Sequence, residues 1–302
     1  MNVAVLGPGG VGGLVAGALD RAGTPVIVVA RTGTAETISE RGLNVGSVLL
    51  GDFLAHPLAT ARLEQQVDVL IVATKAAGLR EALERIDAAP KLVLPLLNGL
   101  DHVAVLRERF VPETVVAGTI RVEADRPEPG VVVHTSKFLR VDMASRYLSA
   151  CAAMERLAGT LSDAGIPARV GDAEAQVMWS KLVRLNALAC TTSAYDKLLG
   201  EIRSTPELRA DLVGAIEEGC AVAQAEGAVV PSEDPLGELI AAHDTLGSSM
   251  QRDIAAGRAP ELDAIPGSVL RTAGRHEIGC PTIERLVTMI AARAGIALPS
   301  VS

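Results

Sequence analysis

The feature that most constrains the fold is a glycine-rich segment near the start of the chain. Gly7-Pro8-Gly9-Gly10-Val11-Gly12 has the pattern G-x-G-x-x-G. It follows the apolar run Asn2–Leu6, which predicts a buried strand, and it opens Val11–Ala22, which has helical spacing. In that context the glycines allow a tight turn, close approach of a pyrophosphate to the backbone, and close helix packing. The segment predicts a dinucleotide site, with a glycine turn that binds nothing as the alternative; its expected cofactor contacts are Gly7, Gly9, Gly10, Val11 and Gly12.

Further apolar runs along the first half of the chain predict a parallel sheet. Three of them resemble the first strand, and a charged helix at Gly78–Ile86 separates the last two: Pro25–Ala30, Val67–Ala73 and Lys91–Leu97. Strands that alternate with helices are typical of a doubly wound α/β fold of the Rossmann type. Shorter strands are predicted at Val115–Val122, Val131–Thr135 and Phe138–Asp142, and we expect them to extend the sheet in antiparallel fashion.

The strand signals end at Gly171, and the rest of the chain predicts helices only. Leu148–Gly165 indicates an amphipathic helix and Pro167–Val170 a last strand. After Gly171 the helical segments are Asp172–Leu199, Pro206–Gly227, Pro235–Gly257, Glu261–Arg275 and Thr282–Arg293. A length of 302 residues suits two domains. We therefore expect a dinucleotide-binding domain over residues 1–171 and an all-helical substrate and catalytic domain over residues 172–302.

Composition excludes several classes of partner. Aromatic residues make up 2% of the chain and the net charge is −8, which disfavours nucleic acid. No run of roughly 18 apolar residues predicts a membrane span. The four cysteines are far apart and the histidines lack metal-ligand spacing, so we expect reduced thiols, no metal and a cytoplasmic protein. The oligomeric state stays open, with a homodimer among the possibilities.

The residues after the second predicted strand indicate which dinucleotide binds. NAD sites usually place Asp or Glu there, against the ribose hydroxyls. This chain has Ala30-Arg31-Thr32 instead. Because a guanidinium pairs with a 2′-phosphate, Arg31 favours NADPH as the cofactor. An exposed loop arginine without a ligand is the alternative.

Four polar residues are candidates for the chemistry. Lys75 and Asn98 each follow a predicted strand at the sheet edge where such folds bind ligands. Lys181 lies beside Trp179 in an apolar helical stretch, and Glu261 follows Pro260. Taken alone, the two lysines are more simply solvated side chains, Asn98 a turn residue, and Glu261 a charge at a helix N-terminus.

Taken together, these motifs resemble the ketopantoate reductases (2-dehydropantoate 2-reductases) over nearly the whole chain. No single motif is specific, but their order and spacing are. The motifs are Gly7-x-Gly9-x-x-Gly12, Arg31, Thr74-Lys75-Ala76, Asn98-Gly99, Trp179-x-Lys181-Leu182, Ser248-Ser249-Met250 and Glu261-Leu262-Asp263.

The resemblance implies a reaction and a role for each residue. Members reduce a branched 2-oxo acid with NADPH in pantothenate synthesis. By resemblance, Lys181 is the general acid that protonates the new alkoxide, and Glu261 lies near it and the substrate. Lys75 and Asn98 would face the nicotinamide and the substrate, and Ser249 would hold the substrate carboxylate or hydroxyl.

One part of the pattern departs from the family. Members commonly carry asparagines four and eight residues after the helix lysine, where this chain has Leu185 and Ala189. Asn186 is one residue out of register, roughly 100° around an ideal helix, and remains a candidate substrate contact if a local bulge restores its direction. Two alternatives therefore stay open: a reductase of another carbonyl or an imine, and a dinucleotide-binding sensor without turnover.

Overall fold

A computed structural model describes residues 1–300. The chain divides into two units. Unit 1 consists of Met1–Leu97 and His102–Val177, and unit 2 of Asn98–Asp101 and the residues from Met178 onward. This division falls between Val177 and Met178, somewhat after the position predicted at Gly171. The sequence also gave no sign that the short segment 98–101 belongs with the helical unit.

Unit 1 contains all the strands of the described chain and five of its α-helices. In chain order the elements are β1 (Val3–Leu6), α1 (Gly10–Arg21), β2 (Val26–Val29), α2 (Thr32–Arg41), β3 (Leu43–Ser47), β4 (Phe53–Ala55), β5 (Leu58–Thr60), β6 (Val69–Val72), α3 (Leu79–Leu83), β7 (Leu92–Pro95), α4 (His102–Arg109), β8 (Ala117–Arg121), β9 (Ala124–Asp125), β10 (Val131–His134), β11 (Arg140–Ala144), α5 (Cys151–Asp163) and β12 (Ala168–Val170).

The central sheet of unit 1 contains the four parallel strands that the sequence predicted and one edge strand, β5, that it did not predict. Its strand order is β5-β2-β1-β6-β7, and every neighbouring pair is parallel. Alternate side chains of one strand enter two different cores: Val3 and Val5 pack on one face, and Ala4 and Leu6 on the other. Because both faces of this sheet are covered, its strands are continuous apolar runs in the sequence.

The predicted antiparallel extension of this sheet is wrong. The middle strands form two separate sheets, of order β4-β3-β10-β9 and β12-β11-β8. Only a single bridge, between Val93 and Val115, links β7 to the start of β8. Leu92 and Leu96 donate their N–H groups to the β6 side, so the nitrogen of Pro95 faces the β8 side. Proline has no N–H to donate there, and the ladder stops.

The described residues of unit 2 form helices and connecting loops with no strand, and the helices have more breaks between them than the sequence predicted. Its helices are α6 (Glu174–Tyr195, which begins in unit 1), α7 (Leu199–Ser204), α8 (Pro206–Ala225), α9 (Glu233–Ala241), α10 (Ser249–Ala255), α11 (Ser268–Arg275) and α12 (Pro281–Ala294). The segment predicted as one helix over Pro235–Gly257 is α9 and α10 with a gap between them. Glu261–Arg275 starts instead with a π-helical turn, Asp263–Gly267, that contains Pro266. In both units, no helix within residues 1–300 is long and apolar enough to span a membrane.

Candidate active site

The glycine loop of unit 1 has the conformation that its sequence requires. Gly7 adopts φ +90°, a left-handed value that favours glycine, and its carbonyl accepts the N–H of Gly9 at 2.8 Å. A Cβ at Gly12 would overlap that same carbonyl oxygen. The turn and the close packing of α1 against β1 therefore both depend on glycine.

The start of α1 presents a surface suited to a phosphate. A Cβ built at Gly9, the residue before the helix, meets nothing within 4 Å, so the backbone there is open to approach. The N–H groups of a first helical turn have no acceptor within the helix, and the helix dipole adds positive potential at that end. This combination can bind a pyrophosphate through main-chain atoms alone.

A buried hydroxyl next to this loop lacks a partner. Thr74 follows β6, and its Oγ1 is buried with no hydrogen-bond partner among residues 1–300. Its Cγ2 lies 2.8 Å from where a Cβ at Gly7 would stand. Orphaned buried polar atoms often mark a ligand position. The sequence placed Thr74 in a motif without assigning it a contact; its position directly after a buried strand was the available signal.

The other two candidates in unit 1 are exposed. Arg31 immediately precedes α2, and its side chain is 77% exposed. Its Nη2 lies 3.7 Å from Oε1 of Glu81, an acidic neighbour that the sequence did not connect with it. Lys75 is exposed before the 3₁₀ turn Ala76–Gly78. An exposed guanidinium at the end of β2 can meet an anionic ligand group from solvent.

Within unit 2, three of the predicted residues form one hydrogen-bonded chain. The Lys181 Nζ donates to Oδ1 of Asn98 at 2.8 Å, and Nδ2 of Asn98 donates to Oε2 of Glu261 at 3.0 Å. The amide of Asn98 thus connects an ammonium to a carboxylate. All three side chains are partly buried, where charged hydrogen bonds are stronger than in water.

Backbone features bring these side chains together. Gly99 adopts φ +85°, and a Cβ there would overlap the carbonyl oxygen of Ala264 in the π-helical turn. Only glycine therefore lets segment 98–101 lie against the turn that follows Glu261. Lys181 belongs to α6, and the buried side chain of Trp179 in the same helix, 1% exposed, anchors that helix in unit 2.

Comparison with known proteins identifies the family. The model of the family "Ketopantoate reductase PanE/ApbA" matches residues 3–144, and that of its C-terminal domain matches residues 175–294. The chain belongs to the ketopantoate reductase family. Its members are oxidoreductases, and the family name fits the dinucleotide loop and the lysine–asparagine–glutamate chain described above.

Relatives of this ketopantoate reductase family member match from end to end. A 2-dehydropantoate 2-reductase from Halobacterium salinarum is 29% identical, covering 96% of this chain and 98% of the relative. One from Mycobacterium tuberculosis is 30% identical, covering 96% and 97%. Among solved structures, the 2-dehydropantoate 2-reductase of Geobacter metallireducens has a TM-score of 0.88 at 26% identity, covering 97% and 99%. D-mandelate dehydrogenase, solved with NADH and anilino(oxo)acetate, also reaches 0.88, at 22% identity and covering 98% and 99%.

The remaining substrate candidates of this family member, Asn186 and Ser249, take no part in the hydrogen bonds from Lys181 through Asn98 to Glu261. Asn186 has no exposed surface; its Oδ1 accepts from Cys190 Sγ, and no partner for its Nδ2 is found within residues 1–300. Helix α6 contains no bulge that would turn Asn186 toward the direction of Lys181. Asn186 has no surface exposed to a substrate, and its substrate contact stays a prediction. Ser249 is exposed at the start of α10, whereas Ser248 is buried and caps that helix through the N–H of Gln251. The spacing of the two serines could not show which one the helix would use.

Proposed function

We propose that this protein is an NADPH-dependent 2-dehydropantoate 2-reductase that forms pantoate for pantothenate synthesis. The observation that carries the proposal is the hydrogen-bonded chain from Lys181 through Asn98 to Glu261, found in a member of the ketopantoate reductase family. A regulatory sensor needs a dinucleotide loop but no partly buried ammonium bonded in this way. The hydrogen-bonded side chains of Lys181, Asn98 and Glu261 therefore favour an enzyme over a sensor.

The residues of unit 1 fit a dinucleotide. The open backbone at Gly9 and the first-turn N–H groups through Gly12 suit the pyrophosphate, and the buried hydroxyl of Thr74 supplies a polar contact beside the loop. Arg31 pairs with a 2′-phosphate, which only NADPH carries, and Lys75 follows the strand next to the loop. When bound, the cofactor supplies a hydride to the carbonyl carbon of the substrate.

Lys181 supplies the proton. Negative charge develops on the carbonyl oxygen during reduction, and an ammonium stabilises that charge before donating a proton to it. Asn98 orients the Lys181 ammonium through one hydrogen bond, and in this proposal the ammonium donates to the substrate oxygen. Glu261 fixes the Asn98 amide in the orientation that accepts from the lysine, because its carboxylate can only accept from the amide nitrogen.

The residues expected to face the side chain of the substrate favour a second candidate function. Residues four and eight after Lys181 lie on the same side of an α-helix as Lys181, and here they are Leu185 and Ala189. Neither can hydrogen-bond the hydroxyl that distinguishes 2-dehydropantoate from simpler branched 2-oxo acids. A reductase for a 2-oxo acid with a hydrocarbon side chain is therefore the second candidate.

A matched pair of substrates separates these functions. Purified protein is mixed with NADPH and either 2-dehydropantoate or 3,3-dimethyl-2-oxobutanoate, which lacks only the hydroxyl, and nicotinamide absorbance is followed. A higher kcat/KM for 2-dehydropantoate supports the first proposal, and the reverse order supports the second. Tight NADPH binding without oxidation by either acid or by a wider panel of carbonyl compounds and imines would contradict both and leave the sensor.

A further inference from the structure

One arginine of unit 2 binds two acidic residues and two backbone carbonyls at once. Arg271, in α11, donates from Nη2 to Oδ2 of Asp101 at 2.6 Å and to the carbonyl of Asp263 at 2.9 Å. Its Nη1 donates to Oδ1 of Asp263 at 2.8 Å and to the carbonyl of Ser300 at 2.7 Å. The Arg271 side chain is 17% exposed, whereas the side chains of Asp101 and Asp263 are 50% and 70% exposed, so the guanidinium is mostly buried while its acidic partners face solvent.

The two acidic partners belong to the segments that carry the catalytic candidates. Asp101 ends segment 98–101, which begins with Asn98, and Asp263 opens the π-helical turn that follows Glu261. The same two segments already touch where Gly99 meets Ala264. Arg271 therefore fastens together the backbones whose side chains form the Asn98–Glu261 hydrogen bond.

We infer that Arg271 is a positioning residue that keeps Asn98 in register with Glu261 and Lys181. This inference rests on the proposed function for its effect on catalysis, although the contact itself can be tested without activity. Glycine at position 99 permits the close approach but does not enforce it, because glycine also frees the backbone. The planar guanidinium enforces it, since its fixed fork of donors can satisfy both aspartates only when the segments lie together.

The cation is held firmly in its charged form. Burial would lower the pKa of Arg271, but its hydrogen bonds to Asp263 and Asp101 outweigh burial and raise the pKa. Ordinary pH changes therefore leave the contact intact, and substitution is the way to remove it.

The kinetic test compares Arg271→Gln with a matched arginine elsewhere in the same unit. Arg293 also binds one aspartate, Asp196, and one backbone carbonyl, that of Ser193, and it is 26% exposed. We expect Arg271→Gln to lower kcat at least about tenfold, since small displacements at a reacting group are costly, while NADPH affinity is unchanged. Arg293→Gln should leave kcat within about twofold. Equal kcat losses in both variants would overturn the inference.

A double-substitution cycle shows whether Arg271 acts through Asn98. If it does, Arg271→Gln should change kcat less than about threefold in an Asn98→Ala background, because the group that it positions is already gone. A full additional loss in that background would contradict positioning through Asn98. Thermal unfolding of each variant identifies any change that comes from misfolding.

A spectroscopic readout tests the contact even if the proposed function fails. The side-chain amide signals of Asn98, identified by their disappearance in Asn98→Ala, are followed in nitrogen–proton correlation spectra of the full chain without substrate. Arg271→Gln should shift them toward the values of exposed asparagines, and Arg293→Gln should not. Unshifted signals in Arg271→Gln would overturn the inference, whereas a shift without turnover of any carbonyl compound would overturn only the proposed function.

Discussion

The two units build their candidate sites in different ways. Unit 1 uses backbone groups that are close together along the chain, because Gly7, Gly9 and Gly12 lie within one turn and the start of one helix. Unit 2 uses side chains that are far apart along the chain, since Asn98 is 83 residues from Lys181 and 163 residues from Glu261. A backbone site is insensitive to most side-chain changes but sensitive to an added Cβ. A side-chain site has the opposite sensitivities.

The largest expected effect is at Lys181. Lys181→Ala should lower kcat by about 10²–10⁴-fold, the range for a positioned acid, because no other group then protonates the developing alkoxide. NADPH binding should change less than about twofold, since unit 1 binds the cofactor in our proposal. Stopped-flow measurement of hydride transfer on the preferred 2-oxo acid checks the rate.

Lys197 gives the control for that substitution. It is a lysine of the same unit, 44% exposed and paired with Glu201, four residues along the chain. Lys197→Ala should keep the parent rate. A Lys181→Ala enzyme within about threefold of the parent rate would remove Lys181 from the mechanism and, with it, the contrast between the two units.

A single added carbon should disable the backbone site. Gly9 has φ −76° and ψ −161°, which any residue adopts, so Gly9→Ala should fold normally. The new Cβ occupies the open space where we place the pyrophosphate, and NADPH affinity should fall about 10–100-fold as charged hydrogen bonds to the backbone are lost. Titration of NADPH fluorescence measures it.

Gly159→Ala is the control for an added Cβ. Gly159 is exposed in α5, and a Cβ there also meets nothing within 4 Å. Alanine inside a helix is favourable by about 1 kcal/mol relative to glycine, so stability should rise slightly with NADPH affinity unchanged. Unaltered NADPH affinity in Gly9→Ala would place the cofactor elsewhere.

A loss of similar size, confined to one cofactor, is expected where unit 1 uses a side chain. Arg31→Ala should weaken NADPH binding about 10–100-fold and leave NADH binding unchanged, because only NADPH offers a 2′-phosphate to the guanidinium. Arg41, at the other end of α2, is the matched control, and its alanine variant should bind both cofactors normally. Equal affinity of the parent protein for NADPH and NADH would show that Arg31 selects nothing.

The same contrast explains what the sequence could predict. The strand–turn–helix around Gly7 is local, so its conformation follows from neighbouring residues, and the parallel sheet follows from its doubly buried strands. Asn98, Lys181 and Glu261 were candidates from their positions in the sequence, but only the resemblance suggested their roles, and no periodicity could have connected them. The edge formed by Pro95 and the place of segment 98–101 in unit 2 depend on tertiary contacts, which local patterns do not contain.

The smallest predicted effect concerns Glu81, the acidic neighbour of Arg31. Both side chains are well exposed and their charged atoms are 3.7 Å apart, so the pair contributes little by itself. In our proposal, this carboxylate competes with the 2′-phosphate of NADPH for Arg31 and repels that phosphate. Glu81→Gln should therefore raise NADPH affinity about two- to threefold at low salt, with the gain disappearing as salt screens exposed charges. NADH affinity should not respond.

Arg85 gives a second test of the competition, and the response of NADH separates that competition from a general charge effect. Its Nη2 lies 3.5 Å from the same Oε1 of Glu81, so Arg85→Gln removes a second partner and leaves that carboxylate to Arg31. If Glu81 competes for Arg31, Arg85→Gln should lower NADPH affinity slightly while Glu81→Gln raises it. Changes of the same sign, or a response of NADH equal to that of NADPH, would mean that Glu81 does not act through Arg31, and cofactor choice in unit 1 would then not depend on this side-chain pair.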